Sequence, residues 1–231
     1  LAAALGKGTS YLRTWPDREV LPEVEARFAA YLERRRLGEP VAYILGRQGF
    51  WSLDLEVAPH TLIPRPDTEL LVETALEMLP AGPADVLDLG TGTGAIALAL
   101  ASERSTWRLT GVDCISEAVT LATRNAQRLG LGNVGFIESQ WFSSLAGQRY
   151  GLIVSNPPYI PASDPHLLQG DVRFEPSSAL VAGGDGLDDI RLIIAQAPTH
   201  LLSSGWLMLE HGYDQAMAVR TLLFDGGFVD V

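Results

Sequence analysis

The chain has 231 residues, enough for one α/β domain and a smaller module. Apolar residues make up 47% of it and charged residues 19%, which is typical of a globular protein and excludes a disordered one. The formal net charge of −11 disfavours nucleic acid as the main partner, because an acidic surface repels phosphate groups.

The single cysteine, Cys114, excludes an intrachain disulfide and a cysteine-based zinc site, and it fits a reducing, cytoplasmic setting. No apolar run reaches the ~18 residues that a membrane span needs, and the start does not have the pattern of a signal peptide. The four histidines show no ligand spacing, so no metal site is predicted.

Residues 1–46 have a helical pattern and predict a small N-terminal domain, which we expect to lack its first helices. One predicted helix carries an amphipathic stripe formed by Val24, Phe28, Tyr31 and Leu32. Gly38 and Pro40 are expected to end this helix.

Residues 47–66 predict a β-hairpin linker, because apolar residues alternate at Phe50, Leu53, Leu55 and Val57. The stretch "PDTELLVETALEMLP" then predicts a helix. Asp67 or Thr68 is expected to be its N-cap, and acidic residues occupy its first turn. Residues 67–231 form the predicted catalytic domain, which we expect to lack its final strand pair.

From Ala84 onward, short apolar strands alternate with helical segments. This alternation predicts a parallel sheet with helices on both faces, and ligands bind such sheets beyond the carboxyl ends of the strands. Those predicted ends read "DLGTGTG", "VDC", "ESQWF", "SNPPY" and "LEHG".

The glycine-rich turn predicts a site for an adenosine-bearing cofactor. Gly90, Gly92 and Gly94 fit a loose dinucleotide pattern, although a turn of this kind can be a simple tight loop. Asp113, at the end of the next strand, is placed to bind a ribose diol. Asp88 favours S-adenosylmethionine over a dinucleotide, since an acid there suits a cationic ligand better than a pyrophosphate; the alternative is that Asp88 caps a loop N–H.

The stretch "SNPPY" ends a predicted buried strand with two residues that cannot donate to a ladder. Asn156 offers an acceptor and a donor, and Pro157 keeps a free carbonyl. Pro158 stiffens the loop, and Tyr159 offers a flat face to a planar group. Together these residues predict a rigid receptor for a planar –NH₂ group.

These motifs resemble the class I S-adenosylmethionine methyltransferases that modify planar nitrogens. The further stretches "PVAYILGRQGFW", "LIPRPDTELLV", "FEPSSALVAGGDGL" and "MLEHGYDQ" resemble the HemK/PrmC family, the glutamine N5-methyltransferases of peptide chain release factors. The resemblance covers nearly the whole chain. It implies a Rossmann-like catalytic domain, a substrate-docking N-terminal domain, and methyl transfer to the glutamine of a Gly-Gly-Gln motif, with S-adenosylhomocysteine as the product.

The resemblance also implies roles for individual residues. The cofactor would be bound by Gly90, Thr91, Gly92, Thr93, Gly94, Asp113, Trp141 and Asn156. The acceptor glutamine would be bound by Asn156, Pro157, Pro158 and Tyr159. The family commonly has an acid before the tryptophan, where this chain has Gln140; its carbonyl can still accept a hydrogen bond from adenine.

Three other functions stay open at this point. A ribosomal-protein glutamine methyltransferase shares the "NPPY" motif, although "LIPRPDTE" favours the release-factor branch. An adenine-N6 DNA methyltransferase would need a basic groove, which the acidic composition disfavours. A non-catalytic S-adenosylmethionine-binding regulator would leave "NPPY" unexplained. The polar stretch of residues 163–176, called the flap below, predicts a substrate-facing loop.

Overall fold

The computed structural model describes residues 1–231. The α-helices are α1 Ala2–Leu5, α2 Thr9–Thr14, α3 Pro22–Arg36, α4 Val41–Leu45, α5 Glu69–Met78, α6 Ala95–Glu103, α7 Ser116–Leu129, α8 Asp188–His200 and α9 Ala216–Asp225. The β-strands are β1 Arg47–Phe50, β2 Leu53–Glu56, β3 Asp85–Leu89, β4 Arg108–Asp113, β5 Val134–Glu138, β6 Tyr150–Ser155 and β7 Leu201–Leu209. Short 3₁₀ turns occupy Pro66–Thr68, Pro165–Leu168, Val172–Phe174 and Ser177–Ala179.

The central sheet has five parallel strands in the order β5-β4-β3-β6-β7. The chain runs outward from β3 to β5 and then returns to the other side of β3 with β6. This reversal puts a crevice beyond the carboxyl ends of β3 and β6, where α/β sheets bind ligands. The predicted parallel sheet with flanking helices is confirmed.

Apolar side chains of β3 alternate between two hydrophobic clusters, one on each face of the sheet. Val86 packs into the cluster that includes α5 and α6, and Leu87 packs into the cluster that includes α8. Because both faces are covered, most side chains of the two central strands β3 and β6 are buried, as in parallel sheets generally.

The predicted hairpin is confirmed, with β1 and β2 paired in antiparallel register. Phe50 and Leu55 are fully buried in the larger cluster, so the hairpin is attached to the sheet domain by apolar contact. In α3 the predicted stripe is only partly buried, since Val24 is 8% exposed and Leu32 is 52% exposed.

Two sequence predictions differ from the structure at element boundaries. Neither Asp67 nor Thr68 makes a side-chain cap for α5. Strand β7 begins at Leu201 and not at Gly205, because an irregular register lets Leu201 pair with Tyr150 before the regular pairing resumes. No helix of the chain combines the length and apolar character needed to cross a bilayer.

Beneath the glycine-rich turn lies Asp88, whose carboxylate is 1% exposed. Its Oδ2 atom accepts hydrogen bonds from Thr91 Oγ1 at 2.6 Å and from the Ala97 N–H at 3.2 Å, in the first turn of α6. Burial raises the pKa of Asp88 to about 7, while these hydrogen bonds oppose the rise. The acid therefore caps the turn and the helix, which was the alternative interpretation of this residue.

Gly111 of β4 makes room for the same turn. A Cβ atom there would lie 2.5 Å from Phe136 and 2.8 Å from Thr91 Oγ1. Gly111→Ala is therefore expected to lower the free energy of unfolding by about 1–3 kcal/mol, the usual cost of overpacking. Gly135→Ala is the matched control, because it lies in the neighbouring strand and its Cβ would meet nothing within 4 Å. Urea unfolding measures both, and equal stabilities would contradict the assigned packing.

The Asp88 carboxyl predicts a pH dependence of stability. Between its ordinary pKa of 3.8 and its folded-state pKa of about 7, the folded chain keeps a proton that the unfolded chain releases. Stability from this group is therefore present at low pH and falls as pH rises through that window. The stability difference between the wild type and Asp88→Asn should fall by on the order of 1–4 kcal/mol between about pH 4 and about pH 8. Denaturant curves at several pH values measure it; a constant difference would contradict the assignment.

Candidate functional site

A cavity lies at the carboxyl edge of the sheet, over the ends of β3, β4 and β6. Of the predicted cofactor residues, it brings together Gly90, Thr91, Gly92, Thr93, Asp113, Trp141 and Asn156. Pro158 also lines it, whereas Gly94, Pro157 and Tyr159 do not. Most of the predicted site residues thus converge on one cavity, and three of them do not line it.

The glycine turn follows β3 with three residues in the left-handed region. Gly90, Gly92 and Gly94 have φ values of 69°, 54° and 84°. A Cβ atom at Gly94 would lie 2.9 Å from Leu98 and 3.1 Å from Phe136, so this glycine serves helix packing and not the cavity. Gly90 and Gly92 line the cavity, where the absence of side chains lets a ligand approach the backbone.

Asp113 ends β4 and faces the same cavity. One carboxylate oxygen accepts the Gly92 N–H at 2.9 Å, and the other accepts the Ile115 N–H at 3.0 Å. Burial raises the pKa of Asp113, and these hydrogen bonds oppose the rise. Each oxygen can accept a further hydrogen bond, so the carboxylate has capacity for two neighbouring hydroxyl groups.

Trp141 forms another wall of the cavity and sits on Gly90, whose Cβ position is 3.5 Å from the indole ring. Its backbone has a φ of 49°, held by a hydrogen bond of 2.9 Å from Ser139 Oγ to the Trp141 carbonyl. Gln140 is exposed and also lines the cavity. A carboxylate that the sequence did not single out, Asp189, lines it too; burial raises its pKa and a hydrogen bond with Trp141 opposes the rise.

The end of β6 is fixed to its neighbours. Ser155 is fully buried and donates to the Leu89 carbonyl at 2.7 Å, which ties the end of β6 to the end of β3. The next residue, Asn156, donates from Nδ2 to Thr68 Oγ1 at 3.0 Å. Asn156 Oδ1 accepts no hydrogen bond from the chain.

The two prolines leave a second acceptor without a partner. Pro157 is buried, yet no N–H or side-chain donor of the chain bonds its carbonyl. Backbone carbonyls in buried residues are usually paired with protein or water, so an unpaired one directly after Asn156, which lines the cavity, is a candidate ligand contact. Asn156 and Pro157 therefore supply two adjacent acceptors.

Tyr159 lies behind this pair. Its hydroxyl donates to Glu210 Oε1 at 3.1 Å, and its ring packs against a small cluster that includes Ile190. Burial, with a further contribution from Glu210, raises the pKa of Tyr159 to about 12. Gln215 Nε2 donates to the Tyr159 carbonyl at 2.9 Å, so the "LEHGYDQ" stretch supports the loop from below. The predicted contact of the tyrosine ring with a planar substrate group stays a prediction.

An ion pair between two of the quoted motifs was not predicted. Arg65 of "LIPRPDTE" pairs with Glu175 of "FEPSSAL", whose side chain is fully buried. The second oxygen of Glu175 accepts the Ile63 N–H at 2.9 Å. Both motifs were visible in the sequence, but no local pattern indicated that they bind each other.

The residues around the cavity fit S-adenosylmethionine better than a dinucleotide. One N–H of the first turn of α6, where a pyrophosphate would bind, already donates to the Asp88 carboxylate. Among the charged lining residues, Arg65 is paired with Glu175, which leaves Asp113 and Asp189 to favour a cation. Asp88 does not itself line the cavity, so the acids that would face a cationic ligand are Asp113 and Asp189.

Comparisons with known proteins agree with this geometry. Residues 1–46 match the family described as the PrmC N-terminal domain, and residues 66–173 match the methyltransferase small domain. The chain is 71% identical over 231 residues to a protein of Pseudomonas aeruginosa named release factor glutamine methyltransferase, covering 100% of this chain and 84% of that protein. A protein of the same name from Escherichia coli K12 is 53% identical over 226 residues, covering 98% of this chain and 82% of that protein.

Solved structures share the fold at low identity. The hMettl16 catalytic domain aligns with a TM-score of 0.62 at 17% identity, covering 78% of this chain and 69% of that one. A Thermus thermophilus 16S rRNA methyltransferase, solved with AdoMet and guanosine, aligns with a TM-score of 0.57 at 21% identity, covering 78% of this chain and 44% of that one.

The fold is therefore that of the S-adenosylmethionine-dependent methyltransferases, as the sequence predicted. High identity over the whole chain narrows the assignment further. The chain belongs to the release factor glutamine methyltransferase family.

Proposed function

We propose that this chain transfers a methyl group to the side-chain nitrogen of the glutamine in the Gly-Gly-Gln motif of peptide chain release factors. The observation that carries the proposal is a pair of unpaired acceptors: Oδ1 of Asn156, a residue that lines the cavity, and the carbonyl of the next residue, Pro157. A carboxamide –NH₂ group has two N–H donors, which matches two adjacent acceptors. The names of the relatives support the release factor as the source of that amide.

Cofactor binding is assigned to the turn and the strand ends. Gly90 to Thr93 would form the floor of the site, and the free lone pairs of Asp113 would accept hydrogen bonds from the ribose hydroxyls. Trp141 would pack on the adenine, and the Gln140 side-chain carbonyl would accept a hydrogen bond from the adenine amino group. When bound, S-adenosylmethionine supplies an electrophilic methyl group on a positively charged sulfur.

The residues that bind the substrate would promote the reaction by orienting the amide nitrogen. An amide nitrogen is a weak nucleophile, because its lone pair is delocalised into the carbonyl. Acceptance of both N–H bonds by Asn156 and Pro157 would hold the nitrogen in line and stabilise the positive charge that develops on it. The nitrogen then loses a proton to solvent. No side chain needs to act as a strong base.

The remaining assignments concern partners and domains. We assign residues 1–46 to substrate docking, 47–66 to a linker and 67–231 to catalysis. The net charge of −11 supports a protein substrate over a nucleic acid. The single, exposed Cys114 supports the cytoplasm as the compartment.

Asn156→Ala is expected to lower kcat on a release factor by on the order of a hundredfold, because one of the two acceptors is lost. Asn156→Asp keeps acceptor oxygens and should retain more activity. Gln127→Ala, which removes an exposed amide on α7, is the matched control and should leave kcat unchanged. Near wild-type turnover of Asn156→Ala would contradict the assigned role.

The substrate is tested with labelled S-adenosylmethionine and a purified release factor, with and without replacement of the glutamine in its Gly-Gly-Gln loop. Mass spectrometry should locate one added methyl on that glutamine and none on the replaced factor. A ribosomal protein and duplex DNA are run in parallel. Labelling of either one, with none on the factor, would overturn the proposal.

A further inference from the structure

A contact outside the assigned roles joins Thr68 to Asn156. Asn156 Nδ2 donates to Thr68 Oγ1 at 3.0 Å, across a sequence separation of 88 residues. Thr68 is only 5% exposed, and both residues line the cavity. This hydrogen bond is therefore shielded from water on the Thr68 side and lies directly at the site.

No other hydrogen bond of the chain involves the Thr68 hydroxyl. Thr68 ends the 3₁₀ turn that leads into α5, has helical backbone angles of φ −66° and ψ −18°, and makes no cap hydrogen bond. Its hydrogen bond with Asn156 therefore lies at the site and not within its own helix.

An asparagine side chain has two ends of nearly equal size and opposite hydrogen-bonding character. With Nδ2 on Thr68, the Oδ1 atom is left as the free acceptor. With the amide reversed, Asn156 would present N–H donors to the N–H donors of a substrate amide. In the observed geometry Thr68 Oγ1 is the acceptor for Nδ2, and this arrangement leaves Oδ1 to accept a hydrogen bond at the site.

Thr68 is itself held by its neighbours. Its N–H donates to the Arg65 carbonyl at 3.2 Å, and Arg65 pairs with the fully buried Glu175. Glu175 in turn accepts the Ile63 N–H at 2.9 Å. The segment from Ile63 to Thr68 is thus anchored on the end of the flap, so the Thr68 oxygen occupies a fixed position.

We propose that Thr68 is a positioning residue for methyl transfer, which holds the Asn156 side chain through Nδ2 with its oxygen toward the substrate nitrogen. The inference rests on the proposed role of Asn156 as an acceptor. Thr68 acts through Asn156 and need not touch the substrate.

The test compares Thr68→Val, which keeps the shape and removes the hydroxyl, with Thr68→Ser, which keeps the hydroxyl. We expect Thr68→Val to lower kcat on a release factor about tenfold, the factor that one hydrogen bond is worth. The KM for S-adenosylmethionine should change less than about twofold, and Thr68→Ser should recover most of kcat. Thr74→Val is the matched control, since Thr74 lies in α5 and its hydroxyl bonds only the Leu70 carbonyl, at 2.8 Å.

A second measurement is independent of turnover. The side-chain amide protons of Asn156 are followed by NMR in the protein alone, and in the wild type one of them should exchange slowly with water. This protection should persist in Thr68→Ser and Thr74→Val and disappear in Thr68→Val.

The two measurements separate the possible failures. Wild-type kcat together with unchanged protection in Thr68→Val would overturn the positioning role. Loss of protection in Thr68→Val, with no methylation of the factor by the wild type, would overturn the proposed substrate and leave the orientation of Asn156 established. If Thr68→Val does not fold, an unprotected Asn156 amide in the wild type still refutes the inference.

Discussion

The site depends on the place where β6 stops. This strand lies inside the sheet, between β3 and β7, where a continuing chain would pair on both sides. Pro157 and Pro158 have no N–H to donate, so pairing ends after Ser155 and the backbone turns away. The polar groups of Asn156 and Pro157 are thereby left without ladder partners at the edge where parallel sheets bind ligands. The hydrogen bonds around the end of β6 fix the position of these groups.

A second constraint separates this site from those that bind dinucleotides. Both families of site use a glycine-rich turn followed by a helix, and the helix start attracts anions. Here the buried Asp88 carboxylate already accepts an N–H of α6. One of the N–H donors that a pyrophosphate would use is thus taken by the protein's own acid. Asp113 and Asp189 line the cavity and are not paired with a cation of the chain, so their negative charge favours a cationic ligand.

The sequence predicted the elements better than the contacts between them. Alternating strands and helices predicted the parallel sheet, and the strand ends predicted which residues would meet at its edge. Local pattern also predicted that Asp67 or Thr68 caps α5, and this was wrong: neither side chain caps the helix, and the Thr68 hydroxyl bonds Asn156 from a distant part of the chain. The pairing of Arg65 with Glu175 was missed for the same reason. Periodicity and turn chemistry describe neighbours along the chain, whereas the partner of a polar side chain depends on which distant residues folding brings close to it.

The central claim is that Asn156 and Pro157 bind the substrate amide through their oxygens. A crystal structure of the protein with S-adenosylhomocysteine and a Gly-Gly-Gln peptide tests it directly. The account predicts that the glutamine side-chain nitrogen lies about 2.7–3.2 Å from both Asn156 Oδ1 and the Pro157 carbonyl, with Asn156 Nδ2 still on Thr68. A glutamine nitrogen bound away from these two oxygens would contradict the account.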